Sequence, residues 1–280
     1  MRRKRMRSAD GPPALVHAVA LGLVQGPTEL LPVSSSAHTE LLAWLLRWPY
    51  AEMDGERRKS FEVALHTGAA VALALHMRRE LIEETRQMTV RRTGVVVASL
   101  APAALAGYAL EGPISRRLGG PRSIAAGLAA GGVAMALADR RRGAGEDGRS
   151  ARDATVRDGL ALGVAQALAL IPGVSRNGAT LAAARARGFA RRDAQTLSWH
   201  AALPVLFGAS ALRALRLRRG ALAPGERVTL AAGGASALLS TLLSARLLDR
   251  RLREGAPLFG ASLYRCLLAA FVFTRARSAQ

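Results

Sequence analysis

Two short polar clusters stand inside otherwise apolar stretches of this sequence, and each carries groups able to do chemistry. In the first, Gln25 and Glu29 are four residues apart, one helical turn, and so share a helix face. Pro32 follows, then Ser34, Ser35 and Ser36, then His38. A carboxylate and an imidazole are costly to hold in apolar surroundings, so a functional role is the default reading of Glu29 and His38. The blander readings place Glu29 at a loop edge near headgroups, make His38 a capping imidazole, and let the serines cap the next helix. In the second cluster, Pro172-Gly173-Val174-Ser175-Arg176-Asn177-Gly178-Ala179-Thr180, one arginine sits among small residues with no acid close by in the chain. An arginine so placed calls for an anion. Its planar fork suits phosphate oxygens, and small residues ahead of a helix N-terminus let backbone N–H groups join the same anion site. The bland alternative is an arginine snorkelling to the interface.

The elements that must position these clusters follow from the hydropathy pattern. Half of the 280 residues are hydrophobic, yet the mean hydropathy is only +0.15, because apolar Ala/Leu/Val/Gly runs alternate with arginine-rich loops. That alternation predicts membrane spans joined by basic loops. Spans of about 20 residues are expected at roughly 61–77, 93–110, 123–138, 195–212, 228–245 and 257–274. Two further apolar segments, about 14–46 and 158–188, are interrupted at Pro32 and Pro172. Freed peptide groups at membrane depth are tolerated only where protein or water satisfies them, so these two segments read as re-entrant helix-loop-helix elements. ALGLVQ at 20–25 echoes ALGVAQ at 161–166, and each is followed by a proline-containing break. Broken helices at matching places predict an inverted repeat with a site between its halves. The expectation is an all-α polytopic integral membrane protein. It is one membrane domain over 1–280, with a first half of about 14–138, a second of about 158–274, and a basic linker at 139–157.

The motifs QGPTELLPVSSSAH at 25–38 and PGVSRNGAT at 172–180 resemble the two signatures of the undecaprenyl-diphosphatase family, also called bacitracin-resistance proteins. FEVALHTGAAVAL at 61–73, LSWHAALPVLFGAS at 197–210 and LYRCLLAAF at 263–271 follow in the order that family shows. The resemblance implies removal of the terminal phosphate of undecaprenyl diphosphate, recycling a lipid carrier for cell-wall synthesis and conferring bacitracin resistance. It implies a bacterial plasma membrane and a pocket facing the outer side. It makes Glu29, Ser35, His38 and Arg176 the catalytic candidates, and Gln25, Ser34, Ser36, Ser175, Asn177 and Thr180 the phosphate-binding ones. Ala37, Leu30 and Asn177 depart from the family's usual glycine, phenylalanine and serine. With Gln25 at the first position the pocket keeps a single carboxylate of the usual pair. A divalent cation, Mg2+ or Ca2+, would then rest on Glu29 and the substrate's own phosphate oxygens. The serine could attack phosphorus, or water could, with the same residues.

Lys and Arg number 40 against 20 Asp and Glu, a net charge of +20. Nucleic-acid binding would want aromatic residues interleaved with a basic face, and aromatics are only 4% of the chain. Anionic lipid headgroups are the expected partners of the loop arginines. Arginine counts in the loops are level on the two sides and give no orientation. Cys266 is the only cysteine, so no disulfide forms within the chain. A homodimer stays open. The basic N-terminus imitates a signal peptide, but Pro12 and Pro13 leave too short an apolar core, so the segment reads as retained. A rival class, a lipid-phosphate transporter or flippase, shares the inverted-repeat pattern. An intramembrane serine hydrolase lacks a G-x-S-x-G elbow and leaves Arg176 unexplained.

Overall fold

The computed structural model describes residues 14–140, 148–218 and 224–278. The signal-like N-terminus up to residue 13 and the linker tip at 141–147 lie outside them. Eleven α-helices account for the described chain: α1 (Leu15–Leu30), α2 (Ser35–Leu45), α3 (Gly55–His76), α4 (Arg78–Arg86), α5 (Val90–Leu118), α6 (Pro121–Arg140), α7 (Val156–Leu168), α8 (Arg176–Ala186), α9 (Arg191–Arg218), α10 (Pro224–Glu254) and α11 (Phe259–Ser278). The six expected spans fall on α3, α5, α6, α9, α10 and α11, each at least 20 residues long. Of these α5, α6 and α10 are long and apolar enough by themselves to cross a membrane. The others carry polar residues that are buried against protein, such as Gln195 and Ser198 on α9 and Ser262 and Arg265 on α11. Large apolar side chains, among them Leu105, Leu239, Leu243 and Leu267, are more than half exposed on the outer surfaces of the long helices. An exterior of this kind faces hydrocarbon rather than water.

The two interrupted segments form the expected helix-loop-helix pairs, α1–α2 and α7–α8. Their packing is crosswise: α1 lies along α10 from the far end of the chain, α7 lies along α5, and α6 packs on α11. The segment RRELIEETR, which reads as a loop, is the short helix α4, turned 71° from α3. Three arginines of the second half and one of the linker also find partners other than lipid. Asp139 accepts from Arg185 (3.0 Å), Arg191 (2.8 Å) and the Leu258 N–H (3.1 Å), which joins α6, α8, α9 and the start of α11. Asp158 accepts from Arg149 (2.7 Å) and Arg187 (2.6 Å).

Packing of α1 on α10 uses small residues, as helix contacts in lipid do, where van der Waals fit replaces the hydrophobic drive. Gly22 and Gly26, four apart on α1, meet Ser236 and Ser240 on α10 so closely that a Cβ at either glycine would collide with the α10 backbone. The serines donate to α1 carbonyls, Ser236 to Val19 (2.8 Å) and Ser240 to Leu23 (2.6 Å). Gln25 and Glu29 ride on this helix, so its seating sets their position. Gly26→Leu is therefore expected to destabilise the protein by roughly 1–3 kcal/mol of overpacking. Thermal unfolding in detergent measures this, and an unchanged melting temperature would contradict the close approach.

Candidate active site

Both breaks enter their second helix through a serine with a left-handed backbone, Ser34 (φ 77°) and Ser175 (φ 52°). Such a conformation costs a non-glycine residue about 1–3 kcal/mol and persists only where the surroundings hold it. Its effect is to start α2 and α8 abruptly, so that their first-turn N–H groups meet at the breaks, where a helix N-terminus favours an anion. Ser175 caps its helix by accepting from the Gly178 N–H (3.2 Å), whereas the Ser34 side chain caps nothing. The two N-termini share one cleft of about 200 Å³, lined by Glu29, Ser34, Ser35, Ser36, Ser175, Arg176 and Asn177, together with Thr28, His66 and Gln166.

Glu29 is the hub of the cleft. Its Oε1 pairs with the Arg176 guanidinium. Its Oε2 accepts from Ser35 Oγ (2.6 Å) and Gln25 Nε2 (3.0 Å) and lies 3.1 Å from His66 Nδ1. The arginine that has no acid in its own stretch thus finds one 147 residues earlier, in the other break. Both side chains are largely buried, and stripping such a pair of one partner costs about 3–5 kcal/mol because a lone buried charge remains.

Four candidate residues act from outside this first layer or with part of their bonding spent on structure. Gln25 sits behind Glu29 and is buried. Asn177 donates to the Leu30 carbonyl (2.9 Å) and accepts from Ser198 Oγ (2.9 Å), tying the second break to the end of α1. Thr180 holds the first turn of α8 through the Arg176 carbonyl (2.9 Å) and contacts Ser198 Oγ (2.5 Å). His38 does not line the cleft. Its Nδ1 donates to the Ser34 carbonyl (2.7 Å), a pure acceptor, so in the neutral ring Nε2 accepts from the Tyr264 hydroxyl (2.7 Å). Among the described residues no group of three or more His, Cys, Asp or Glu side chains could hold a metal. Among the described residues Glu29 is the one carboxylate that lines the cleft, and both of its oxygens are engaged.

Residues 18–271 match the family described as bacitracin resistance protein BacA. The chain belongs to this family. A relative from Geobacter sulfurreducens is 38% identical over 277 residues, covering 93% of this chain and 99% of its own length. A relative from Thermomicrobium roseum is 38% identical over 259 residues, covering 85% and 90%. One from Moorella thermoacetica is 34% identical over 267 residues, covering 92% and 96%. All three carry the name undecaprenyl-diphosphatase.

In this BacA-family chain, sequence reasoning passes over two residues beside the cleft. His66 and Arg265 each interrupt an apolar stretch, and the cost argument that singles out Glu29 applies to them equally. Arg265 is fully buried. Its Nη1 donates to the Pro32 carbonyl of the first break (3.1 Å), its Nη2 to the Gly173 carbonyl of the second (2.9 Å), and its Nε to Leu128 on α6 (3.3 Å). One planar fork thereby satisfies a carbonyl from each break and ties the two breaks together. Arg265→Met is expected to leave one buried and one partly buried carbonyl without donors, at up to about 1–3 kcal/mol each, with Arg265→Lys recovering only part. The check is thermal unfolding of both variants, and full recovery by lysine would contradict the bridging role.

Proposed function

We propose that this chain hydrolyses undecaprenyl diphosphate to undecaprenyl phosphate and inorganic phosphate, in the plasma membrane of a bacterium, with its cleft open to the outer side. The name its relatives carry supports the substrate. One observation carries the chemistry: Ser35 Oγ lies 2.6 Å from Glu29 Oε2 while Arg176 holds the other oxygen of the same carboxylate. A nucleophile, its base and a phosphate grip are thus assembled in one place.

In this reading the terminal phosphoryl group enters between the two helix N-termini, and Arg176 turns from Glu29 to the phosphoryl oxygens. Glu29, relieved of its cation, becomes the stronger base and takes the Ser35 proton as Oγ attacks phosphorus. The bond from phosphorus to the bridging oxygen breaks, and its electron pair leaves with undecaprenyl phosphate. Arg176, the cleft hydroxyls and the first-turn N–H groups of α2 and α8 steady the charge on the transferring oxygens. The proton on Glu29 passes to the departing undecaprenyl phosphate oxygen, which leaves Glu29 ionised again. Water then gives a proton to Glu29 as it attacks phosphorus, the bond from phosphorus to Ser35 Oγ breaks, and Oγ takes that proton as inorganic phosphate leaves. His38 holds the Ser34 carbonyl and so fixes the turn that presents Ser35. A divalent cation fits here only as a partner of the substrate, with Glu29 as its single protein carboxylate and diphosphate oxygens as the other ligands, and it would neutralise phosphate charge. The chain works as one membrane domain whose halves each contribute one break.

Phosphate release from undecaprenyl diphosphate by the purified protein in detergent, with no gradient present, tests the activity, and its absence overturns the proposal. Ser35→Ala is expected to lower kcat by more than the ~10²–10³ lost with a single preorganised donor. A smaller loss would assign the attack to water.

A further inference from the structure

Against the far faces of α7 and α8 runs a second, quite different cavity, a groove of about 730 Å³ between α6, α7 and α8. Its walls are small or aliphatic: Gly131 and Ala134 on α6, Ala161 and Val164 on α7, Ala183 on α8. Small residues on three neighbouring helices keep it open, and half-exposed Leu160, Val164 and Leu168 along its α7 edge open it sideways to lipid. Among the described residues the one charged group lining it is Arg157, at the end of α7 away from the break. Such a lining can hold hydrocarbon and offers nothing to an ion. The second break borders both cavities: Ile171 and Val174 line the groove, while their chain neighbours Leu170 and Ser175 line the cleft.

We propose that this groove seats the first isoprene units of the substrate's polyprenyl chain as it leaves the diphosphate in the cleft. The inference rests on the phosphatase reading above, which requires a diphosphate carrying one long apolar chain. That chain must cross an edge of the cleft, and the second break is an edge with an apolar channel on its other side. The α7 stripe from Leu160 to Leu168 is ~12 Å long at 1.5 Å per residue. That is less than half of the ~30 Å hydrocarbon core, so only the proximal units are held and the remainder lies in the bilayer. The groove would thus set a preference for chains of several isoprene units over a single one, with little further gain at greater length.

The test compares kcat/KM for prenyl diphosphates of increasing length, from five carbons to fifty-five, in wild type, Ala161→Trp and Ala134→Trp, which fill the groove from opposite walls. The wild type is expected to gain over the first few units and then level off. Both variants should lose at least tenfold on the long substrate and far less on the five-carbon one. An unchanged length dependence, or an equal loss at every length in both variants, overturns the inference. In a second measurement, a photoreactive benzoylphenylalanine at Leu160 should label with radioactive long-chain substrate, in competition with undecaprenyl phosphate. Labelling only by bulk phospholipid, without such competition, means that the groove is a lipid site and also overturns it. Wild type that releases phosphate from no prenyl diphosphate would instead refute the underlying activity, a separate outcome.

Discussion

The structure depends on one buried ion pair made between two interrupted helices. Glu29 stands at the end of α1 and Arg176 at the start of α8, and each alone would be an uncompensated charge in apolar surroundings. Such a charge costs several kcal/mol, which neither break can supply from its own few contacts. Together they set a condition on the whole chain: the two breaks must arrive at the same depth and face each other. Carbonyls within the breaks impose the same condition, since Arg265 satisfies those of Pro32 and Gly173 with a single side chain. The electrostatic and hydrogen-bonding demands of the breaks therefore have one joint solution, and the cleft is what that solution leaves between them.

Holding the breaks in register is the work of the long helices. Glycine and serine let α1 seat directly on α10, and α7 runs along α5. Carboxylates at Asp139 and Asp158 draw together the ends of the second half through four arginines. The cleft thus stands on a rigid frame, while its own members keep some freedom: Arg176 and His66 remain partly exposed to it. A guanidinium that can move from a carboxylate to a phosphate is suited to trading one anion for another during a reaction cycle, which a fully enclosed one such as Arg265 is not.

Much of this was legible in the sequence because it follows from local costs. Prolines inside apolar segments locate the breaks, and polar residues beside them locate the cleft. The matching stretches ending at Gln25 and Gln166 mark equivalent places, and both glutamines are buried beside the cleft. What stayed hidden was partnership. That Arg176 answers Glu29 cannot be read from either motif, because the pairing spans 147 residues. Arg265 answers backbone carbonyls, which have no residue signature at all. Asn177 and Thr180 look like phosphate contacts by type, yet part of their hydrogen bonding goes to Leu30, Ser198 and the first turn of α8, since a small polar residue at a helix start serves either end. The helix α4 was missed because its charges mask a pattern that only the bend after α3 makes sense of.

The central claim is that the two breaks build a single reaction centre through Glu29 and Arg176. A double-mutant cycle on turnover tests it most directly, with Glu29→Gln, Arg176→Gln and the double variant measured on undecaprenyl diphosphate. Residues that act as a unit lose their effect together. The predicted result is a double variant no slower than the worse of the two single ones, a coupling well above the ~0.3–0.5 kcal/mol within which independent sites add. Losses that multiply, as for two unconnected sites, would contradict it.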